Sequence, residues 1–340
     1  MDLTLTLSLS RYGFGGAPIG NLFTAVDDDA ARAAVDAAYE AGIRLFDTAP
    51  HYGLGLAERR LGAALASRPR DSYVLSTKVG RLLVPSGGGG RDSAGRDSAG
   101  RDSAGRDSAG RDSAGRDDEG FDVPAGLRRV RDYSRDGVRR SLEESLERLG
   151  LDRIDVALIH DPDEHWERAV SEAYPALAEL RDQGVVRAIG AGMNQWEMLA
   201  RFVRETDPDV VMLAGRHTLL DQSGTRGLLP LCRERGVRVL AAGVFNSGLL
   251  ATDEPSGTYD YAPAPGSLLA RARAIAAVCG RHGVTLPQAA LAFPLRHPAV
   301  ASVVVGARSA AEVARNAALA ARPVPEALWT DLTAEGLVSC

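Results

Sequence analysis

The apolar positions of the chain fall into short continuous runs separated by amphipathic stretches. IRLFDTA (43–49), YVLSTKV (73–79), RIDVALIHD (153–161), VVRAIGAG (185–192), DVVMLAG (209–215), VRVLAAGVF (237–245) and ASVVVGA (301–307) have strand length and strand composition. Between them the apolar period lengthens to three or four. That spacing predicts helices over 27–42, 55–66, 133–150, 165–183, 193–203, 228–236, 267–283, 286–296 and 310–319. Acids crowd the first turn of 27–42, and Gly42 stands where its cap falls. In the 133–150 stretch, Leu142, Leu146 and Leu149 share one face. With a glycine-rich opening strand near Gly13 to Pro18, the pattern reads as eight strand–helix units. Strands that are apolar throughout are what a parallel sheet covered by helices requires.

Two folds suit such a pattern, an open doubly wound sheet and an eight-fold barrel. A doubly wound nucleotide binder carries G-x-G-x-x-G after its first strand. Here the early glycines read GFGGAPIG, and no acidic residue ends a following strand in the required register. A single (β/α)8 barrel spanning 1–340 is the expectation.

One stretch breaks the pattern. From Pro85 to Gly120 the chain has almost no large apolar residue; RDSAG is repeated five times over 91–115, and a decayed sixth copy, RDDEG, follows at 116–120. A period of five matches neither helix nor strand and is too short for a solenoid unit. Such a segment cannot bury enough surface to offset its ordering entropy, about 1–2 kcal/mol per residue for the backbone. The segment 85–120 is therefore read as a disordered low-complexity insertion in the loop after the third strand. The sharper alternative is a lid or a partner-binding arm. Barrels tolerate long loops on that face, so folding is expected to survive it.

The formal charge of −5 argues against a nucleic-acid surface and a polybasic membrane anchor. Cys232, Cys279 and Cys340 show no C-x-x-C spacing, which disfavours disulfides and structural zinc and fits a reducing cytoplasm. The first residues, MDLTLTLSLSRYGFGG, read as neither a signal peptide nor a membrane span.

In a barrel of this kind chemistry sits at the C-terminal ends of the strands. The second run ends in Asp47 with Tyr52 just beyond, the third in Lys78 and the fourth in His160. Each alone has an ordinary structural explanation: a cap, loop packing, a solvated amine, a satisfied imidazole. Together they form a proton-transfer set. A phenol near pKa 10 is a poor acid–base at neutrality, and an adjacent ammonium is expected to lower that value. A carboxylate would hold the ammonium, and an imidazole would hydrogen-bond the reacting oxygen. None of these groups supplies electrons, so a hydride carrier must be borrowed.

These residues and their surroundings resemble the aldo-keto reductase family. GIRLFDTAPHYGLGLAERRLGAAL (42–65) resembles its signature around Asp and Tyr, LSTKVG (75–80) its Lys strand, and DVALIHDPD (155–163) its His strand. Further likeness, to the branch of sugar and pyridoxal dehydrogenases, lies in GFGGAPIGNL (13–22), 132–163, GAGMNQWEML (190–199), GRHTLLDQ (215–222) and VFNSGLLA (244–251). The resemblance implies an NAD(P)-dependent enzyme that oxidises the anomeric carbon of an aldose such as L-fucose to the lactone. Pyridoxal is an alternative substrate, general aldehyde or ketone reduction an alternative activity.

It also implies roles. Tyr52 is the acid–base, tuned by Lys78, which Asp47 holds; His160 orients the substrate oxygen. Asn194 meets the nicotinamide carboxamide. Phe245, Asn246 and Ser247 line the pyrophosphate path. Gly306, Arg308, Glu312 and Asn316 surround the adenosine end. His51 and His217 are expected in the substrate pocket, with His217 where the branch usually has Tyr. Gly243 and Val244 depart from a usual proline, and Ala242 cannot stack on the nicotinamide. Glu312 stands where NADP users often carry a base, which favours NAD, with Arg308 as a possible counterweight. A non-catalytic cofactor-binding subunit is a rival with the same residues. A metal hydrolase built on Asp47, His51 and His160 lacks an H-x-H pair and would set Lys78 beside the cation, so no metal is expected.

Overall fold

The computed structural model describes residues 9–86, 116–259 and 262–339. Eight parallel strands close into a barrel in chain order: β1 Tyr12–Gly15, β2 Leu45–Asp47, β3 Val74–Val79, β4 Val156–His160, β5 Ala188–Met193, β6 Val210–Ala214, β7 Arg238–Ala242 and β8 Val300–Gly306. Strand β1 pairs with both β8 and β2, which closes the ring. Around it lie α1 Asp28–Glu40, α2 Leu56–Leu65, α3 Arg135–Leu149, α4 Tyr174–Asp182, α5 Trp196–Glu205, α6 Leu228–Arg235, α7 Gly266–Arg281, α8 Leu286–Ala292, α9 Ala310–Ala320 and α10 Glu326–Ala334.

Alternation along each strand sorts its side chains between two cores. Leu45, Val74, Val156, Leu158, Val210, Met212, Leu240 and Val304 fill the barrel interior. Their neighbours Phe46, Leu75, Ala157, Ile159, Val211 and Val239 face outward into the layer beneath the helices. The caps follow the sequence. Asp27 accepts from the Ala30 amide at the start of α1, and Ser134 from the Gly137 amide at the start of α3. Gly150 ends α3 in the left-handed region at φ 62°. Helices α2 and α3 cross closely at Gly62, where a Cβ would lie 1.8 Å from the Leu149 carbonyl oxygen.

The structure departs from the sequence pattern in several places. The helix expected over 165–183 is interrupted: a π turn, Ala169–Ala173, separates Trp166–Arg168 from α4. The strand expected over 43–49 shortens to three residues. An antiparallel hairpin of Arg81–Pro85 with Leu127–Arg131 had no sequence signal, because LRRVR reads as a charged loop and its partner lies across the insertion. Helix α10 was also missed, although Leu328, Trp329 and Leu332 bury one face of it.

The RDSAG copies at 91–115 lie outside the described residues. The assigned insertion, 85–120, does reach into them at both ends, and at the near end Pro85 pairs with Leu127 in that hairpin. Residues 116–120 belong to the folded rim, with Asp117 buried against Arg129 and Arg116 bridged to Pro124. Two acids of this decayed copy, Asp117 and Glu119, pair with the cations Arg129 and Arg81.

Candidate active site

The pleat that fills the barrel also builds the site. Continuing the inward positions of three neighbouring strands, Leu45 leads to Asp47, Val74 to Ser76 and Lys78, and Val156 and Leu158 to His160. All end at the same rim. Lys78 Nζ donates to Asp47 Oδ2 at 2.7 Å and to the Thr48 carbonyl at 3.0 Å. Ser76 Oγ donates to the other carboxylate oxygen at 2.8 Å. On the outward face of β3, Thr77 donates to Glu58 of α2, which also accepts from Arg148 of α3. The strand carrying Lys78 is thereby fastened to two helices.

Tyr52 lies in the loop between β2 and α2. That loop rests backbone to backbone on the turn after β1. A Cβ on Gly20 would meet the Tyr52 carbonyl at 3.0 Å, and Gly53 at φ 61° sits so close that a Cβ would meet the Gly20 oxygen at 2.2 Å. The Tyr52 ring lies against Lys78, whose Nζ is 4.9 Å from the ring centroid. His160 meets the ring edge-on at 6.0 Å, and Phe121 stacks on it at 6.0 Å.

The electrostatics follow from burial and from the sign of each neighbour. Burial pushes the Tyr52 phenol up to about 12; Lys78 pulls it down, and Asp47 pushes it up again. This corrects the expectation of a phenol more acidic than usual: the ammonium offsets part of the burial cost and does not exceed it. Burial works against the charge on Lys78, but Asp47 and Tyr52 outweigh it and its pKa is raised. Burial, followed by Arg81 and Lys78, holds the His160 imidazole well below its ordinary value. His51 is brought down to about 2 by burial and by Arg81, Arg129 and Lys78. Both imidazoles are neutral at pH 7.

Beside this cluster runs a groove of about 380 Å³. Its lining includes Asp47, Tyr52, Asn194, Phe245, Asn246, Ser247, Gly306, Arg308, Glu312 and Asn316, so every residue expected along a cofactor path borders one space that opens on Tyr52. Gly15, Gly16 and Arg315 also border it and were not foreseen. Two acceptors there, Asn246 Oδ1 and Asn316 Oδ1, are buried without a hydrogen-bond partner among the described residues. Asn246 and Ser247 hold left-handed backbones at φ 46° and 58°. Unpaired amide oxygens and glycine walls fit a long polar ligand such as a nicotinamide dinucleotide. Glu312 accepts from the Arg308 amide at 3.0 Å and pairs with its guanidinium at 3.5 Å.

His217 does not join the site. The His217 ring is buried against Phe293 at 5.2 Å, with Nδ1 on the Thr225 hydroxyl at 3.0 Å. The apolar layer formed by α7, α8 and α10 holds that ring, so its pocket assignment is withdrawn. His51 does join, edge-on to His160 at 5.5 Å. Sequence reading missed Phe121, Arg81, Arg129 and Asp161. Only the spacing of Asp161 directly after the fourth run could have suggested one of them.

A closed (β/α)8 barrel with a phenol, a buried ammonium–carboxylate pair and a neutral imidazole on its C-terminal rim, beside a dinucleotide-sized groove, defines a class of barrel oxidoreductases. The chain belongs to the Aldo/keto reductase family, whose model matches residues 11–334. It is 46% identical over 335 residues to a D-threo-aldose 1-dehydrogenase from Pseudomonas sp., covering 98% of this chain and 95% of that one. It is 37% identical over 346 residues to a pyridoxal 4-dehydrogenase from Microbacterium luteolum, covering 98% and 96%. Among solved structures, a glycerol dehydrogenase from Gluconobacter oxydans shares the fold with a TM-score of 0.69 at 22% identity, over 98% of this chain and 94% of that one. The protein is an NAD(P)-dependent oxidoreductase. Among the described residues no helix is long and apolar enough to cross a membrane.

Proposed function

We propose that the protein oxidises the anomeric carbon of a small aldose to the lactone, with Tyr52 as the acid–base. The observation that carries this reading is the buried Lys78–Asp47 pair set against Tyr52 where the groove opens. The dinucleotide, when bound, supplies the hydride acceptor. Tyr52 Oη takes the proton of the C1 hydroxyl. To do so it must hold the phenolate, which the Lys78 ammonium stabilises while Asp47 keeps that ammonium in place. Neutral His160 hydrogen-bonds the same substrate oxygen and orients it.

We assign Asn194 to the nicotinamide end of the groove, Phe245, Asn246 and Ser247 to the pyrophosphate, and Gly306, Arg308, Glu312 and Asn316 to the adenosine end. NAD is the favoured dinucleotide. Glu312 occupies Arg308 through its amide and its guanidinium, so that cation is already compensated where a 2′-phosphate would need it. Pyridoxal is the second candidate substrate, on the 37% identity to a pyridoxal 4-dehydrogenase.

The test is a panel of aldoses, pyridoxal and simple aldehydes, with NADH and NADPH formation followed separately for wild type and Tyr52→Phe. An aldose is expected to give the highest kcat/KM, with NAD, and the variant to lose about 100-fold to 10,000-fold. Wild type as inert as the variant would favour a non-catalytic binding subunit. Faster pyridoxal turnover would move the assignment to that substrate.

A further inference from the structure

The strand that leaves the barrel after Lys78 carries a second device. Gly80, at φ 101°, turns the chain out over the Tyr133 ring, and Arg81 follows. Arg81 is buried. Its Nη2 donates to Asp161 Oδ2 at 2.7 Å, and its Nη1 lies 3.2 Å from His51 Nδ1 and 3.4 Å from Glu119 Oε2. A guanidinium has only donors. His51 Nδ1 must therefore accept, and the ring proton of the neutral imidazole sits on Nε2.

The backbone of His51 is held as firmly as its ring. Arg129, on the other strand of the same hairpin, donates to the His51 carbonyl at 2.9 Å and is itself clasped by Asp117 at 2.5 and 3.1 Å. The charged groups facing His51 are Lys78 from β3, Arg81 and Arg129 from the hairpin, and Glu119 from the segment ending the repeat. His160 and Tyr52 complete its surroundings. Burial first, and then three cations against one carboxylate, oppose protonation. The His51 side chain keeps 15% exposure, and its Nε2 makes no hydrogen bond among the described residues. Its ring centre is 5.9 Å from that of Tyr52. The two rings stand side by side on the rim, so an Nε2–H donor on one lies next to the proton acceptor on the other.

We propose that Arg81 is a positioning residue that locks His51 as a neutral Nε2–H donor, and that His51 reads the hydroxyl next to the reacting carbon of the substrate. The segment RDDEG, the last copy of the repeat, supplies two of the carboxylates that steady this arrangement, Asp117 and Glu119. The hydroxyl-reading half rests on the aldose reading above; the tautomer half does not.

The experiment has two arms, each on the full chain. In the first, 15N imidazole NMR follows the tautomer and titration of His51 in wild type, Arg81→Lys and Arg81→Gln. Wild type is expected to show Nε2–H with no titration between pH 5 and 8. Arg81→Gln is expected to show mixed tautomers and a midpoint moving into that range. Wild-type His51 that carries its proton on Nδ1 or titrates near 6.5 overturns the proposal. In the second arm, an aldose is compared with its 2-deoxy analogue. Wild type should favour the parent sugar by about tenfold or more, mostly through KM. Arg81→Gln should lose most of that preference, and Arg81→Lys, with one point charge for three acceptors, should fall between. Equal discrimination in wild type and Arg81→Gln overturns the reading role. If no aldose turns over at all, the aldose assignment fails while the NMR arm still decides the role of Arg81.

Discussion

The Lys78 ammonium donates to Asp47 Oδ2 over 2.7 Å, and the two side chains are only 2% and 3% exposed. Among the described residues few places bring opposite charges together so far from solvent. The pair fixes Lys78 beside Tyr52, and Ser76 occupies the remaining carboxylate oxygen. Each charge is tolerated there because the other is present.

Removing one partner should therefore cost more than removing both. Lys78→Met strands a buried carboxylate and is expected to lower stability by about 3–5 kcal/mol. It should also cut oxidation at least about 100-fold, since Tyr52 loses the cation that favours its phenolate. Adding Asp47→Leu should return much of the stability and none of the activity. Urea unfolding and turnover, measured on the same preparations, check both halves; a double variant less stable than the single one would count against the account.

The rate of oxidation should climb with pH. Burial raises the Tyr52 phenol to about 12, so at pH 7 it holds its proton and only a small fraction can accept another. That fraction grows tenfold per pH unit below the pKa. Oxidative kcat/KM is expected to rise with a slope approaching one between pH 7 and 10. Carbonyl reduction, which uses the protonated phenol, should stay flat over the same range. A flat oxidative profile would remove Tyr52 from the proton transfer.

Acid should loosen the fold before the carboxylates titrate. Burial holds His217 at about 4 and His51 at about 2, with His160 also well below its ordinary value. An unfolded imidazole binds a proton near 6.5. Below that pH the unfolded chain gains protons that the folded chain refuses. Stability is thus fullest above 6.5 and falls as pH drops toward 4, by up to about 1.4 kcal/mol per pH unit for each such group. Thermal melting between pH 8 and 4 measures it, and an unchanged Tm between pH 7 and 5 would contradict the burial of these rings.

The decayed repeat copy should matter where it is buried. Asp117 and Arg129 are 4% and 6% exposed, so Asp117→Ala takes the two-oxygen partner from a buried guanidinium and leaves it only Glu119 at 3.6 Å. A loss of about 3 kcal/mol is expected, close to that of other broken buried pairs. Glu119, 45% exposed, should contribute under about 1 kcal/mol when changed to Gln. Denaturant midpoints for the two variants, side by side, give the comparison; equal effects would mean that 116–120 does not seat on the rim.

The sequence by itself determined the barrel, named its four rim groups, and fixed the orientation of the three that lie on strands. A period of two is a property of adjacent residues, so Leu45 and Asp47, Val74 and Lys78, and Val156 and His160 announce their shared orientation without any partner strand. Helix starts at Asp27 and Ser134 were equally local. Tertiary structure alone decided that Phe121, Arg81 and Arg129 gather around His51 with Asp161 held on Arg81, and that His217 turns away into the α7, α8 and α10 layer. It also decided the pKa of Tyr52, where the sequence named the ammonium but could not weigh it against burial. Contacts between loops and the loss of solvent around a charge arise only once the barrel has closed, and no short stretch of chain encodes either.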